Sequence, residues 1–165
     1  MGKNILIGIY TGRFQPFHLG HLSAIRHIIS KCDETYVLIC SKKGDNPTDD
    51  RNPFTYEERK EMIELTLGKA LPLVHFRHIC DQDNDKEWTR VIEGEMPKGR
   101  KVSFSNNPHT TDAFKSHGYE TQSLPVVYND LSATIIRKHI IRNEDYEHLI
   151  PVGTFVVLNR IRDRP

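Results

Sequence analysis

The sequence predicts an α/β fold of the doubly wound, Rossmann-like type: a parallel sheet with helices on both faces, one domain over residues 1–165, ending in C-terminal helices. Three observations predict it. The run Ile5-Leu6-Ile7-Gly8-Ile9-Tyr10 is apolar without alternation, as strands covered on both faces are. Apolar runs then alternate with amphipathic stretches of helical period along the chain. No composition shift or Pro/Ser-rich linker divides the 165 residues, which suffice for one substantial core.

The first strand is expected over 4–10, and Gly12 lets the chain leave it tightly. A helix over 19–31 follows, with Leu22, Ile25, Ile28 and Ile29 on one side. After a strand at 34–40, a helix over 55–68 has a clear start. Thr55 is its N-cap, Glu58 three residues on completes a capping box, and Met62, Ile63 and Leu67 form its buried side. The charges from Glu57 to Glu61 are expected mostly on its solvated face. Strands at 74–79, 101–105 and 119–124 alternate with helices at 85–94 and 109–117, the latter ended by Gly118. Helices at 132–143 and 152–162 complete the chain, the last carrying Phe155, Val156, Leu158 and Ile161. In such sheets ligands bind beyond the carboxyl ends of the strands, at the switch in strand order, and the turn after the first strand ends there.

Composition narrows the function. Lysine and arginine number 23 against 22 aspartates and glutamates, so no cationic coat for nucleic acid is expected and any cationic site must be local. Cys32, Cys40 and Cys80 are odd in number and widely spaced with no Cys-x-x-Cys pair, so neither a disulfide framework nor a zinc ribbon is indicated and a reducing cytoplasm fits. The N-terminus has no apolar signal core and lacks the Ser/Thr of a myristoylation signal, and no stretch approaches membrane-spanning length, so no membrane partner is expected.

The chemistry concentrates in residues 12 to 21, Gly-Arg-Phe-Gln-Pro-Phe-His-Leu-Gly-His, just after the first strand. His18 and Gly20 fall at a helix start, where unpaired N–H groups and the positive dipole end favour an anion, and His18 and His21 are three apart and face one ligand. Two such histidines can also share zinc, but the glutamate of His-Glu-x-x-His is missing and no third ligand is evident, so a phosphate site is the better reading and no protein-held metal is expected. With its preceding strand, this turn resembles the His-x-Gly-His nucleotidyltransferases, and within them the archaeal-type nicotinamide-nucleotide adenylyltransferases. The resemblance implies that Gly12, Arg13, Phe14, His18, Gly20 and His21 meet ATP, with both histidines donating to its phosphates.

Further segments extend the resemblance over nearly the whole chain. In Leu131-Ser132-Ala133-Thr134-Ile135-Ile136-Arg137, Ser132 can cap a helix on which Thr134 and Arg137 lie one turn apart. The segment is similar to the superfamily's Ile-Ser-Ser-Thr-x-x-Arg signature, with Leu131 and Ala133 departing, which implies that Ser132, Thr134 and Arg137 grip the β and γ phosphates and that Ala133 withholds one hydroxyl. Arg51-Asn52-Pro53-Phe54-Thr55 with Glu58-Arg59 resembles the family's segment beside the nucleotide pocket, which puts Arg51 and Phe54 near the acceptor. Asp81 and Trp88 resemble its Asp…Asn-x-x-Trp segment, in which the tryptophan stacks on the nicotinamide ring. Asp85 stands where relatives have asparagine; it cannot donate a hydrogen bond when ionised but favours a cationic pyridinium. Asn107-Pro108 resembles a Gly-Asn-Pro turn beside ATP, with Asn106 replacing the glycine.

The resemblance implies direct in-line adenylyl transfer from ATP to nicotinamide mononucleotide. By the same resemblance Mg²⁺ would come with ATP and screen its phosphates, His18 and His21 would stabilise the transition state, and Arg13 and Arg137 would neutralise the departing pyrophosphate. It also implies a cytoplasmic homo-oligomer. No Walker Gly-x-x-x-x-Gly-Lys-Ser/Thr is present. The signatures report the nucleotide and not the acceptor, so phosphopantetheine, flavin mononucleotide or a polyol phosphate stay open as acceptors, as does a nucleotide-binding regulator without turnover.

Overall fold

The computed structural model describes residues 4–44 and 48–164. Five parallel strands form one sheet in the order β3-β2-β1-β4-β5: β1 is Leu6–Gly12, β2 Glu34–Ser41, β3 Val74–Cys80, β4 Arg100–Phe104 and β5 Glu120–Gln122. Six α-helices connect and cover it: α1 Leu19–Lys31, α2 Tyr56–Leu67, α3 Asp85–Glu95, α4 Pro108–Ser116, α5 Ala133–Arg142 and α6 Val152–Arg162. No helix among the described residues is long and apolar enough to cross a membrane.

The unbroken apolar runs of β1 and β2 reflect two cores. Ile7, Ile9, Tyr36, Leu38 and Cys40 point to the layer of α3 and α4, where Ile92 and Phe114 are buried. Tyr10, Val37 and Ile39 point to the opposite layer, packed with Leu22, Ile25 and Ile28 of α1, Met62 and Ile63 of α2, Ile136 of α5 and Val157 of α6. The chain winds from β1 through β2 to β3 on one side, then returns to lay β4 on the other edge of β1. The carboxyl ends of β1 and β4 therefore flank the switch point.

Four differences from the sequence expectation matter. β1 continues through Gly12, two residues past the expected end, because Tyr10, Thr11 and Gly12 stay in register with Val37, Leu38 and Ile39. β5 is only three residues long, since the edge strand finds partners in β4 at Val102, Ser103 and Phe104 alone. Short 3₁₀ turns at Gly68–Leu73 and Glu147–Leu149 were not anticipated. The predicted Thr55–Glu58 capping box is present, as is Ser132 at the cap of α5. The charged run of α2 is less solvated than expected: Glu58 is 8% exposed and Arg59 1%.

The turn between β1 and α1 is irregular and held from several sides. Phe14 has φ 51° and the Gln15–Pro16 peptide is cis. A Cβ on Gly12 would lie 2.7 Å from the Phe14 ring, so glycine is needed there for close approach. Gln15, 3% exposed, donates its amide to the Phe54 carbonyl and accepts from the Phe54 N–H, both at 3.0 Å. Arg59 donates to the Arg13 carbonyl (2.8 Å), Arg137 to the Gln15 carbonyl (2.8 Å), and the Thr154 hydroxyl to the Phe17 carbonyl (2.8 Å).

Gln15→Ala would strand the buried N–H and C=O of Phe54. We expect a loss of roughly 2–4 kcal/mol in urea denaturation, since each unsatisfied group costs about 1–3 kcal/mol. An unchanged midpoint and slope would show that the turn does not need this pair.

Candidate active site

The site begins with how the two histidines enter α1. His18 is the N-cap, and its Nδ1 accepts from the N–H groups of Gly20 (3.1 Å) and His21 (3.3 Å). The His18 N–H in turn donates to Nδ1 of His21 (3.2 Å), a capping box built of two imidazoles. Each Nδ1 is thus an acceptor, so in the neutral ring the hydrogen sits on Nε2, on the edge away from the backbone. The rings stack with centroids 3.5 Å apart, Phe14 meets His21 edge-on at 4.9 Å, and Phe17 stacks on it at 5.7 Å. Burial lowers the pKa of His18 to about 4. It lowers that of His21 well below the usual value, with the neighbouring His18 ring adding to the effect. Both rings are neutral Nε2–H donors near pH 7. A Cβ on Gly20 would come within 3.0 Å of His18 Cε1, so the glycine makes room for the capping ring.

Two cavities open at the switch point and share Thr11, Ser105 and Asn107 as a common wall. The smaller, about 270 Å³, is lined by His18, Gly20 and His21 and rimmed by Leu124 to Tyr128. The larger, about 540 Å³, lies between the starts of α3 and α4 and is lined by Gly12, Arg13, Asp81, Asp85, Trp88 and His109, among others. Arg13 Nη2 pairs with Asp81 at 2.5 Å, while Arg13 Nη1 is enclosed with no hydrogen-bond partner among the described residues. That donor is available to an anion. Trp88 is half-buried, one face edge-on to Phe114 at 5.6 Å. Asn107 caps α4 and touches both cavities.

Other predicted residues stand back from the cavity walls. Phe14 is buried beneath the histidines, and Phe54 lies in the core, its backbone tied to Gln15. Ser132 caps α5, and Arg137 donates to Gln15 and to the Thr134 hydroxyl (3.3 Å). Arg51 is exposed on a turn whose N–H groups bond Asp49. The Arg137 pKa is lowered by burial and then by the nearby Arg51, with Asp49 opposing. The charges of Arg51 and of Arg137, in the second turn of α5, thus lie close enough to act on each other, with Asp49 near both. Asp85 pairs with His109 across the larger cavity at 3.2 Å, a partner the sequence did not suggest.

The sequence also missed the apolar rim, in which Val126 and Val127 are 67% and 60% exposed, and the buried Arg59. An apolar run with a proline just past a strand end was the available signal for the rim; for Arg59 it was the helical spacing that puts it three and four residues before Met62 and Ile63. Among the described residues, no three His, Cys, Asp or Glu side chains converge to hold a metal ion. The smaller cavity is lined by imidazoles, hydroxyls and carboxamides with no carboxylate among its described residues, which suits a divalent cation carried by phosphate oxygens and water.

Comparison with known proteins fits this geometry. The cytidylyltransferase-like family model matches residues 9–139. The nicotinamide-nucleotide adenylyltransferase of Methanococcus aeolicus is 38% identical over 155 residues, covering 93% of this chain and 88% of that protein. That of Saccharolobus solfataricus is 33% identical over 160 residues, covering 94% and 91%. A bifunctional NMN adenylyltransferase/ADP ribose pyrophosphatase from Francisella tularensis, complexed with AMP and a manganese ion, superposes with a TM-score of 0.79 at 20% identity. The alignment covers 97% of this chain and half of that one.

The lowered histidine pKa has a measurable consequence. Folding with an imidazole below its unfolded value near 6.5 gives stability that is complete above that pH. It is lost as pH falls toward 4, because the unfolded chain takes up a proton the folded one excludes. For His18 alone this amounts to on the order of 3 kcal/mol. Denaturation midpoints should drop between pH 7 and 4, and His18→Asn, which caps without titrating, should flatten that slope. Equal slopes in both proteins would contradict it.

Proposed function

Because the chain belongs to the cytidylyltransferase-like family, among the nicotinamide-nucleotide adenylyltransferases, we propose that it transfers the adenylyl group of ATP to nicotinamide mononucleotide, giving NAD and pyrophosphate. The observation that carries this reading is the pair of adjoining cavities. One is lined by two neutral imidazole donors, the other by Arg13, Asp81 and Trp88.

In this reading ATP places its phosphates against the start of α1, and the acceptor occupies the larger cavity with its phosphate directed at the shared wall. An oxygen of that phosphate bonds to the α-phosphorus as the bond to the β-bridging oxygen breaks, and pyrophosphate leaves. No covalent enzyme intermediate and no side-chain proton transfer are needed. Both reactants are anions, so the work of the site is to hold them in line and neutralise charge. His18 and His21 donate through Nε2 to the transferring group, and being neutral when free they do not compete for a proton. Arg13 Nη1, in the wall of the larger cavity, serves a phosphate oxygen. Arg137, with Ser132 and Thr134, serves the β and γ phosphates, Arg51 near it serves the acceptor's phosphate, and Asn107 lies beside the nucleotide. Mg²⁺ bound with ATP would supply Lewis-acid neutralisation of the phosphate oxygens. The exposed face of Trp88 is available to the pyridinium ring, while Asp85 and Asp81 give its surroundings negative charge. We place the enzyme in the cytoplasm, where Cys32, Cys40 and Cys80 stay as free thiols, and as a homo-oligomer on family grounds.

The test is pyrophosphate release and NAD formation from ATP, Mg²⁺ and nicotinamide mononucleotide. His21→Ala should lower kcat by about a hundredfold or more, the usual cost of one transition-state donor, while ATP binding holds. Trp88→Ala should raise KM for the acceptor by roughly five- to thirtyfold, from about 1–2 kcal/mol of lost ring contact, and leave KM for ATP alone. Turnover only with a different phosphomonoester would reassign the acceptor; nucleotide binding without pyrophosphate release would make the protein a regulator.

A further inference from the structure

Taking adenylyl transfer as the reaction, we propose that Arg59 is a positioning residue whose guanidinium fork fixes where Arg13 lies in the wall of the larger cavity. Arg59 sits on α2, 1% exposed, beneath the ends of β1 and β2. Its Nη1 donates to the carbonyls of Arg13 (2.8 Å) and Cys40 (2.6 Å), its Nη2 to the Ser41 hydroxyl (2.6 Å), and its Nε to the Thr55 carbonyl (3.1 Å). These four acceptors are three neutral carbonyls and a hydroxyl, which a purely electrostatic pairing would not select. They are what a planar fork with fixed angles can bind and a rotating ammonium cannot.

The contacts converge on the charged pair that crosses the larger cavity. Arg13 is held by its carbonyl. Its side-chain partner, Asp81, is held through its own N–H, which bonds the Ser41 carbonyl at 2.8 Å. Arg59 thus grips the end of β1, from which Arg13 hangs, and the end of β2, whose Ser41 carbonyl holds the Asp81 N–H just beyond β3. The arrangement closes on itself. The Ser41 hydroxyl also meets Nε2 of His78 (2.7 Å), and the His78 ring stacks at 4.2 Å on Tyr56, the first residue of the helix that carries Arg59. Burial lowers the Arg59 pKa to about 10, so the fork is charged at neutral pH and adds a desolvated positive charge beneath the phosphate-binding turn.

The test compares Arg59→Lys and Arg59→Ala with wild type. Arg59→Lys, folded and still cationic, should lose on the order of a hundredfold in kcat, the effect of misplacing a catalytic group by about 1 Å, while KM for ATP and acceptor stays close to wild type. Guanidinium ions at non-denaturing concentration should restore part of the kcat of Arg59→Ala, and sodium at equal ionic strength should not. Hydrogen exchange at the Asp81 amide should quicken in Arg59→Lys, which reads the strand-end contact without any turnover. Wild-type kcat in Arg59→Lys, or activity lost only in step with thermal stability and not rescued by guanidinium, would overturn the assignment. A wild type that releases pyrophosphate with another acceptor overturns the choice of nicotinamide mononucleotide instead, and the same comparison with that acceptor still decides the role of Arg59.

Discussion

The reciprocal hydrogen bonds between His18 and His21 at the start of α1 govern the rest of the site. Each ring turns its Nδ1 to the backbone, so the tautomer follows from the cap, and the capping bonds also fix which edge of each ring is free for ligand. A helix N-terminus ordinarily offers bare N–H groups to an anion. Here the N–H groups of Gly20 and His21 are already partnered by His18, and side-chain donors take their place. Stacking at 3.5 Å and burial both oppose protonation, so the pair presents hydrogen-bond donors without permanent charge.

Such a cap holds its geometry only if the preceding turn is rigid, and the fold devotes several long-range contacts to that turn. Arg59 from α2, Arg137 from α5 and Thr154 from α6 each take a carbonyl of residues 13 to 17, and Gln15 is locked to Phe54. These helices lie on one side of the sheet, so the core that stabilises the domain also immobilises the phosphate turn. On the other side, α3 and α4 carry Asp85, Trp88 and His109 to the larger cavity, and Asn107 at the start of α4 touches both cavities.

Much of this was legible in sequence because it is local. Unbroken apolar runs mark strands covered on both faces, Thr55 and Glu58 announce a helix start, and the Gly12–His21 turn sits where a parallel sheet binds ligands. The misses are tertiary. Arg59 lies three and four residues before Met62 and Ile63, on the buried side of α2, but a charged residue there reads as solvated because its acceptors are brought together only by folding. Asp85 and His109 are joined by two helix starts converging on one cavity, which spacing cannot convey. Phe54 belongs to a motif beside the site, yet its ring fills core and its backbone does the holding.

The most direct measurement is ¹⁵N NMR of histidine-labelled protein at pH 7, with His18 and His21 assigned by single substitutions. The account predicts that both rings are neutral, with unprotonated Nδ1 and protonated Nε2, and that a non-hydrolysable ATP analogue with Mg²⁺ shifts both Nε2 resonances. A doubly protonated ring, or a hydrogen on Nδ1 of either histidine in the free protein, would contradict it.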